Sequence, residues 1–398
     1  MLRKKYKSVC EMRNKKLVDP QQKFFRLFID GLGKTQNCDV EVLSALPVSS
    51  STVQKYFFKH QNETTGDGVR YTYLPFCNGK FARYISLLIS SRCYTKKWCR
   101  QNADKEAFVI VDPLIPVIAI PSRKVAQKNG IKVAAIVTDL PTLSTNMKER
   151  KESKLKEKCL SVYQRIADTD LHSYDYYIPL TESINDGVNI AHKPYCVVEG
   201  FADSEDKQIS ETHENYIMYA GGVYEKYGVK TLVDAFLRLN RQDIDLYIFG
   251  EGSYVDELLE VSKKNPRVKY MGCVSSEEVV EYEKRALLLV NPRPTDEKFA
   301  KYSFPSKTME YLLSGTAVVS TRLPGIPDEY WDYMYGFDCH APQDITLKLS
   351  EILDLPREDI IRKGVDGHMF VIENKNNVVM AKKVYQFLSG ENYGKSYK

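Results

Sequence analysis

Short apolar runs alternate with amphipathic segments along the second half of the chain. A continuous apolar run predicts a buried strand, and apolar positions that recur every three or four residues predict a helix. The runs lie at residues 217–222, 244–249, 267–271, 286–290 and 316–321, and the helical periodicities at 229–237, 255–259, 276–284 and 306–313. Because strands and helices alternate with short connections, we predict an α/β fold with a parallel, doubly wound sheet. Its ligand is expected at the carboxyl ends of the strands.

The first half of the chain shows the same alternation less regularly. Strands are predicted at 39–43, 69–74, 107–111, 131–137, 176–180 and 195–199, and helices at 23–28 and 84–100. Asp139 follows the strand at 131–137, which is the position of a cleft residue in such a sheet. The alternative for Asp139 is a structural role as the cap of the next turn. A domain linker is expected near Gly200.

The segment at residues 302–320 reads as a loop, a helix and a strand. Pro305 suits the first helical turn, and the free N–H groups at the start of a helix attract anions. Lys307 adds a positive charge, and Glu310 lies on the same side as Ser306, one turn further on. The candidate residues of this loop are Tyr302, Ser303, Phe304, Pro305, Ser306, Lys307 and Glu310, with Ser303 or Ser306 as the helix cap. A helix with a solvated glutamate is the alternative.

Several motifs in the second half resemble those of one enzyme family. They are Tyr219-Ala-Gly-Gly-Val-Tyr-Glu-Lys-Tyr-Gly-Val-Lys230, Phe249-Gly-Glu-Gly252, Asn291-Pro-Arg-Pro294, Phe304-Pro-Ser-Lys-Thr-Met-Glu310 and Pro324-Gly-Ile-Pro327. In their order and spacing they resemble the retaining glycosyltransferases of the GT-B fold, the group 1 enzymes that build bacterial capsular and exopolysaccharides. The resemblance implies two Rossmann-like domains that face a cleft, the first for the acceptor and the second for a nucleotide sugar.

The resemblance also implies roles for individual residues. In this family the carboxylate equivalent to Glu310 holds the nucleotide ribose, and the loop before it meets the diphosphate. We take Asp139 and Lys307 as catalytic candidates. The further donor-binding candidates are Gly221, Gly222, Lys226, Lys230, Gly250 and Gly252.

Two departures from the family pattern affect these roles. Tyr302 stands where many relatives have a second glutamate near the transferred sugar. Gly222 and Tyr227 stand where many have an arginine and a lysine, so Lys226 or Lys230 would have to supply the charge for the phosphates. A solvated helix face is the alternative for either lysine.

The resemblance divides the chain into three parts: an acceptor domain at 1–200, a nucleotide-sugar domain at 201–380, and a helix end and tail at 381–398 that pack back onto the first domain. The family normally opens with an apolar strand, whereas residues 1–16 hold five lysines and two arginines. That composition favours a solvated arm over an inner strand, which would be apolar on both faces. We therefore expect that the first strand is missing or replaced and that the sheet begins near Asp39.

Composition adds limits on compartment and partners. Nine cysteines without a C-x-x-C pair suggest reduced intracellular thiols, and a net charge of +5 is no nucleic-acid signature. The sequence has no apolar run of about 18 residues, so no transmembrane helix is expected. The segment 84–100 combines apolar residues, a tryptophan and clustered cations on a predicted helix. It would suit the surface of an anionic membrane, and a buried domain helix with a basic end is the alternative.

These observations predict a glycosyltransferase that is cytoplasmic and also binds peripherally to the inner face of the membrane. It would move a hexose-type sugar from a nucleoside diphosphate to a saccharide or lipid-linked acceptor, with retention, in polysaccharide biosynthesis. Neither a cofactor nor a metal is expected, since the basic loop before Glu310 can take the role of a cation. Two alternatives stay open: a nucleotide-sugar epimerase of the same fold, and a degenerate relative that binds nucleotide but transfers nothing. A nicotinamide dehydrogenase is disfavoured because no strand leads into G-x-G-x-x-G.

Overall fold

The computed structural model describes residues 20–35, 38–48, 53–140, 154–295, 300–338 and 341–390. The chain divides into two compact units. Unit 1 comprises residues 1–199 and 377–398, and unit 2 comprises residues 200–376. The chain therefore returns to unit 1 at Asn377, four residues before the expected position 381.

Unit 1 contains short strands, most of which the sequence predicts. They are β1 (Glu41–Ser44), β2 (Phe57–Phe58), β3 (Gln61–Thr64), β4 (Arg70–Tyr73), β5 (Phe76–Cys77), β6 (Phe108–Val111), β7 (Lys132–Val137) and β8 (Tyr176–Pro179). Its first helices are α1 (Pro20–Gly33), α2 (Lys80–Gln101), α3 (Pro116–Lys128), α4 (Lys154–Leu171) and α5 (Glu182–Val188). The strand predicted at 195–199 is wrong, because only an isolated bridge between Tyr177 and Tyr195 forms there.

The strands of unit 1 form two separate three-stranded groups, β1-β4-β3 and β6-β7-β8, beside a small β2-β5 ribbon. β1 is parallel to β4, and β6, β7 and β8 are parallel to one another. In a doubly wound sheet of order 3-2-1-4-5-6, β4 and β1 correspond to positions 3 and 2, and β6, β7 and β8 to positions 4, 5 and 6. Among the described residues, no strand occupies position 1.

Among the described residues, β1 and β6 both line a cavity of about 1720 Å³. At the amino ends of the two strands, Lys105 Nζ lies 3.9 Å from Asp39 Oδ2. At the other end, Gln21 of α1 donates a hydrogen bond to Asp112, just after β6. The first described strand begins at Glu41, close to the expected start of the sheet. The proposed solvated arm at residues 1–16 lies outside the described residues.

Unit 2 is built around a six-stranded parallel sheet of order β11-β10-β9-β12-β13-β14. The strands are β9 (Tyr216–Ala220), β10 (Asp245–Phe249), β11 (Val268–Gly272), β12 (Leu288–Asn291), β13 (Ala317–Thr321) and β14 (Tyr335–Phe337). The helices are α6 (Val229–Leu237), α7 (Val255–Lys264), α8 (Ser276–Arg285), α9 (Ser306–Leu313), α10 (Pro342–Leu353) and α11 (Arg357–Asn374). This is the complete 3-2-1-4-5-6 order, with β9 as the first, central strand.

Central strand β9 shows why a continuous apolar run marks this fold. All five of its residues are buried. Ile217 and Tyr219 join the core on one face of the sheet, while Tyr216, Met218 and Ala220 join the core on the other. Each fully buried large side chain of this kind stabilises the fold by about 1.5–3 kcal/mol. The sheet therefore has helices packed on both faces, as the alternation of elements predicts.

The last helix, α12 (Asn377–Ser389), belongs to unit 1 and packs against α1. Asn377 donates a side-chain hydrogen bond to the carbonyl of Leu27. A buried ion pair links two other helices of this unit: Arg123 of α3 contacts Asp170 of α4, and Tyr174 donates a hydrogen bond of 2.7 Å to the same carboxylate. None of the described helices is both long and apolar enough to cross a membrane.

Candidate functional site

The candidate site lies in unit 2, outside the carboxyl ends of β9 and β12. The strand order reverses between these two strands, and ligands of open α/β sheets bind at such a switch point. Three segments meet there: the loop after β9, the Asn291-Pro-Arg-Pro294 loop after β12, and the start of α9.

The loop after β9 is held in place by close packing of its glycines. Gly228 has φ +78°, and a Cβ at this position would lie 1.9 Å from the carbonyl oxygen of Pro292. Only glycine fits there, since a side chain is disfavoured at this φ and would also clash. The glycine therefore brings the loop after β9 against the loop after β12.

The glycines after β10 also pack against the loop that follows β9. Gly250 has φ +122°, and a Cβ there would lie 1.8 Å from the carbonyl oxygen of Gly221. Val223 donates a backbone hydrogen bond to Glu251, and a Cβ on Gly252 would lie 2.1 Å from the oxygen of Val223. Gly250 and Gly252 are thus required by backbone packing. Gly221 and Gly222 form the loop that this packing positions.

Helix α9 begins at Ser306, with Pro305 at the N-cap position and no side-chain capping bond. The expectation that Ser303 or Ser306 caps the helix is therefore wrong. Pro305 fixes the entry of the chain instead, and Phe304 anchors it in the core, 5.5 Å from the ring of Tyr330. Because no side chain caps it, the amino end of α9 retains its preference for an anion. The helix ends as predicted, with Gly315 at φ +78°.

Lys307 lies between two carboxylates. Its ammonium nitrogen is 2.9 Å from Glu310 and 3.2 Å from Glu283 of α8. Burial opposes the charge on Lys307, but Glu283 and Glu310 outweigh it and raise the pKa of the ammonium above its usual value. Lys307 is therefore a permanent cation that fixes the carboxylate of Glu310, which remains 29% exposed.

Glu283 is a member of the site that the sequence analysis did not identify. Its side chain is only 1% exposed, although it lies in a highly charged helix where a solvated position was the natural interpretation. No sequence signal marks it. A buried carboxylate needs a cationic partner, and Lys307 supplies one.

Tyr311 attaches α9 to the end of β9. Its buried hydroxyl accepts a hydrogen bond of 2.9 Å from the N–H of Ala220 and lies 3.3 Å from the carbonyl of the same residue. Since Ala220 directly precedes Gly221, this contact sets the position of Lys307 and Glu310 relative to the glycine loop.

Arg293 is a second site residue that was not singled out, although it stands within the quoted motif Asn291-Pro-Arg-Pro294. Its guanidinium lies over the ring of Tyr227 at 5.2 Å and 3.4 Å from the hydroxyl of Ser303. It therefore connects the glycine loop with the segment before α9. Tyr227 stands where many relatives carry a lysine, and Arg293 places a cation against that tyrosine.

The two lysine candidates of the glycine loop have different surroundings. Lys226 is exposed and lies over the rings of Tyr224 and Tyr227 at 5.5 and 5.7 Å. Lys230 forms ion pairs with Glu225 at 3.4 Å and Glu257 at 3.3 Å. These contacts engage Lys230 with the exposed carboxylates of Glu225 and Glu257, which is the arrangement of a solvated helix face.

Tyr302 and Ser303 lie in the segment that leads into α9. Tyr302 is half-buried, with the ammonium of Lys301 over its ring at 4.6 Å. A Cβ on Gly325 would lie 2.3 Å from the carbonyl oxygen of Ser303, so the Pro324-Gly-Ile-Pro327 loop packs directly on this segment.

The other catalytic candidate, Asp139, belongs to unit 1 and is half-buried after β7. Its carboxylate accepts a hydrogen bond of 2.8 Å from the N–H of Leu140. Burial raises the pKa of Asp139, and the bond from Leu140 only partly offsets this. This bond is made to the N–H of the next residue, and the turn that Asp139 would cap, from residue 141 onward, lies outside the described residues.

Residues 214–355 match the family described as Glycosyl transferases group 1. The matched segment includes β9, the glycine loop, β12 and α9. The matched residues all lie within unit 2. The protein is therefore a glycosyltransferase, as the motifs predicted.

Solved structures similar to this glycosyltransferase extend over both of its units. Sucrose-phosphate synthase from Thermosynechococcus elongatus has a TM-score of 0.64 at 13% identity, covering 94% of each chain. A UDP-forming alpha,alpha-trehalose-phosphate synthase from Burkholderia xenovorans has 0.59 at 9% identity, covering 90% of this chain and 100% of that one. Anabaena HepE in complex with UDP-glucose has 0.52 at 11% identity, covering 74% and 82%. These likenesses establish the GT-B fold of the glycosyltransferase. Comparison with curated protein sequences gave no match.

Proposed function

We propose that the protein transfers a hexose-type sugar from a nucleoside diphosphate sugar to a saccharide acceptor, with retention of configuration. The observation that carries this proposal is the crevice at the switch point of unit 2. There, the uncapped helix α9 carries the carboxylate of Glu310 one turn from its start. Arg293 contacts Ser303 before that helix, and the ring of Tyr227 lies under both Arg293 and Lys226. Similar folds support it, since the HepE structure contains UDP-glucose and the trehalose-phosphate synthase is UDP-forming.

In the proposed complex, the diphosphate lies against the start of α9 and the loop of Gly221 and Gly222. Lys307 does not supply net charge to this position, because it is already shared between two carboxylates. The positive charge for the phosphates therefore comes from Arg293 and Lys226, together with the N–H groups of α9. Glu310, fixed by Lys307, accepts hydrogen bonds from the ribose hydroxyls. No metal or other cofactor is part of this proposal.

The proposed chemistry needs little covalent help. The bond between the anomeric carbon and the diphosphate breaks, the acceptor oxygen attacks from the same face, and its proton passes to the departing diphosphate. Negative charge grows on the diphosphate, and fixed cations and helix N–H groups stabilise it most at that stage. Asp139 is the acceptor-side candidate in unit 1, and Tyr302 replaces the glutamate that many relatives place near the sugar.

The acceptor class and the setting are also proposals. We place the enzyme in polysaccharide assembly in the cytoplasm, with a saccharide or lipid-linked saccharide as acceptor, because the glycine-loop and Phe304–Glu310 motifs resemble those of capsular and exopolysaccharide enzymes.

The test is a screen of nucleoside diphosphate sugars by thermal shift, followed by a transfer assay with the stabilising donor and a panel of saccharide acceptors. We expect one donor class to raise the melting temperature and to release nucleoside diphosphate in the presence of an acceptor. Arg293→Ala should weaken donor binding at least tenfold, whereas Lys230→Ala, the matched control at the start of α6, should change it by less than twofold. Absence of any stabilising nucleotide would contradict the proposal.

A degenerate relative that only binds nucleotide is the second candidate. Two observations favour it: Tyr302 in place of the second glutamate, and the separation of the described strands of unit 1 into two groups. Nucleotide binding without release of diphosphate for any acceptor would support this candidate. Turnover of the nucleotide sugar without an acceptor would instead indicate an epimerase.

A further inference from the structure

Helix α2 directs a row of large apolar side chains into solvent. In its first half these residues follow the i, i+3, i+4, i+7, i+8 spacing that places side chains on one helix face. They are Phe81 (75% exposed), Tyr84 (50%), Ile85 (61%), Leu88 (48%) and Ile89 (55%). The other side of this half of α2, represented by Leu87 and Ser91, is buried in unit 1. The exposed row is therefore not needed to attach the helix to its own unit.

Neighbouring elements extend this apolar surface. Tyr56 and Phe57 are 65% and 46% exposed, and Val162 and Ile166 of α4 are 53% and 51% exposed. Two contacts tie these elements to α2. The rings of Tyr84 and Tyr163 are 6.3 Å apart, and a Cβ on Gly79, just before α2, would lie 3.4 Å from the ring of Tyr56. Together these residues and the exposed row of α2 form the outer apolar patch. Contiguous exposed apolar patches of this kind are rare on monomeric soluble proteins and mark interaction sites.

The exposed side of the second half of α2 is cationic. Its exposed residues include Arg92 and Lys96, which continue the spacing of the apolar row, and Lys97 and Arg100 beside them, and residues 80–101 contain no aspartate or glutamate. At 1.5 Å per residue the cations occupy about 12 Å of the helix, directly after the apolar row. Charged residues are depleted at the core of protein interfaces, whereas an apolar surface beside cations without acids suits acyl chains beside phosphate headgroups.

We propose that the outer apolar patch and the cations of α2 dock unit 1 onto an anionic lipid surface. The apolar residues enter the boundary between headgroups and acyl chains, and the four cations contact lipid phosphates. Docking uses unit 1 only, so it is independent of the proposed transfer reaction and of nucleotide binding in unit 2. It would bring the enzyme to a surface where a lipid-linked acceptor is found.

The test is co-sedimentation of the full chain with vesicles of phosphatidylcholine alone and with about 30% phosphatidylglycerol. We expect binding to the anionic vesicles, and at least a tenfold loss for the triple variant Ile85→Gln, Leu88→Gln, Ile89→Gln, whose side chains are exposed. The pair Lys96→Gln, Lys97→Gln should weaken binding to anionic vesicles by about fivefold per cation and leave the weak binding to neutral vesicles unchanged. Lys124→Gln with Lys128→Gln, two exposed lysines of α3, is the matched control and should have no effect.

Three results would overturn the proposal: no binding of the unmodified chain to anionic vesicles, equal binding of the triple variant, or an oligomer in solution that the triple variant converts to monomer. The last result would assign the patch to contacts between copies of the chain. Nucleotide affinity should be the same for all variants, which separates a failure of docking from a failure of the proposed function.

Discussion

The role of Glu310 can be tested directly, because its replacement removes a ligand contact with little cost to the fold. Glu310→Ala deletes a carboxylate proposed to accept hydrogen bonds from both ribose hydroxyls. Hydrogen bonds to a charged group contribute about 1.5–3 kcal/mol, so the dissociation constant for the nucleoside diphosphate should rise about 10- to 150-fold.

The structure indicates that this variant stays folded. Lys307 retains its contact with Glu283 at 3.2 Å, and the core side chains of α9, such as Met309 and Leu312, are unchanged. Loss of a partly exposed pair such as Lys307 with Glu310 costs about 0–1 kcal/mol. Any large loss of affinity should therefore reflect the ligand contact.

The assay is titration calorimetry with the nucleotide that the thermal-shift screen selects, with urea unfolding as the control for folding. Glu281→Ala, an exposed glutamate of α8, is the matched control and should bind like the unmodified chain. Glu310→Gln should be intermediate, since the amide keeps an acceptor but loses the charge. Affinity of the alanine variant within twofold of the unmodified chain, with folding intact, would remove Glu310 from the site.

Lys307→Ala should lower both turnover and stability, because Glu283 is 1% exposed and loses its ion pair with Lys307. Adding Glu283→Gln to this variant should restore the urea midpoint but not kcat. Recovery of kcat would show that Lys307 has only a structural role. Asp170→Ala should lower the free energy of unfolding in urea by about 3–5 kcal/mol, since it leaves the charge of Arg123 buried without this partner. Asp243→Ala, which removes an exposed pair with Arg241, should lower it by at most about 1 kcal/mol. Equal losses would contradict the distinction between a buried and an exposed ion pair. Asp139→Asn should stabilise the protein at pH 7. Burial raises the pKa of Asp139 in the folded state above its ordinary value of 3.8, so the native state binds the proton more tightly than the unfolded state. The stability of the unmodified protein therefore falls as the pH rises through the folded-state pKa of Asp139. The stabilisation should therefore shrink as urea unfolding is repeated from pH 7 towards pH 4, and a pH-independent difference would point to a cause other than titration.

The sequence predicted unit 2 well because its elements are long and apolar on both faces of a parallel sheet. The runs at 217–222 and 316–321 became β9 and β13, and the periodicity at 306–313 became α9. The glycine that ends α9 was predictable from its position alone. β14 was missed, since it has only three residues and no distinctive apolar run.

Side-chain partners were not predictable to the same degree, because they depend on elements distant in sequence. No motif pairs Lys307 with Glu283, which lies 24 residues earlier in α8, and an amphipathic pattern does not show which charged residue is buried. In unit 1 the antiparallel strands β2, β3 and β5 were missed, since they have two to four residues each. The helix at 84–100 was predicted, but only the structure shows that its apolar row faces solvent.

The described strands of unit 1 form two separate hydrogen-bonded groups, and this separation affects how unit 1 unfolds locally. In unit 2, β9 pairs with both β10 and β12 and joins the sheet into one hydrogen-bonded ladder. Across the cavity of unit 1, the described contacts near the two ends of the strands are side-chain pairs such as Lys105 with Asp39, 59% and 75% exposed, and such pairs contribute little. The hydrogen-bonded ladder of the described strands is therefore interrupted between the groups β1-β4-β3 and β6-β7-β8, which packing of α2 against α3 joins instead. We expect the backbone amides of unit 2, whose six strands share one ladder, to exchange with solvent more slowly than those of either group.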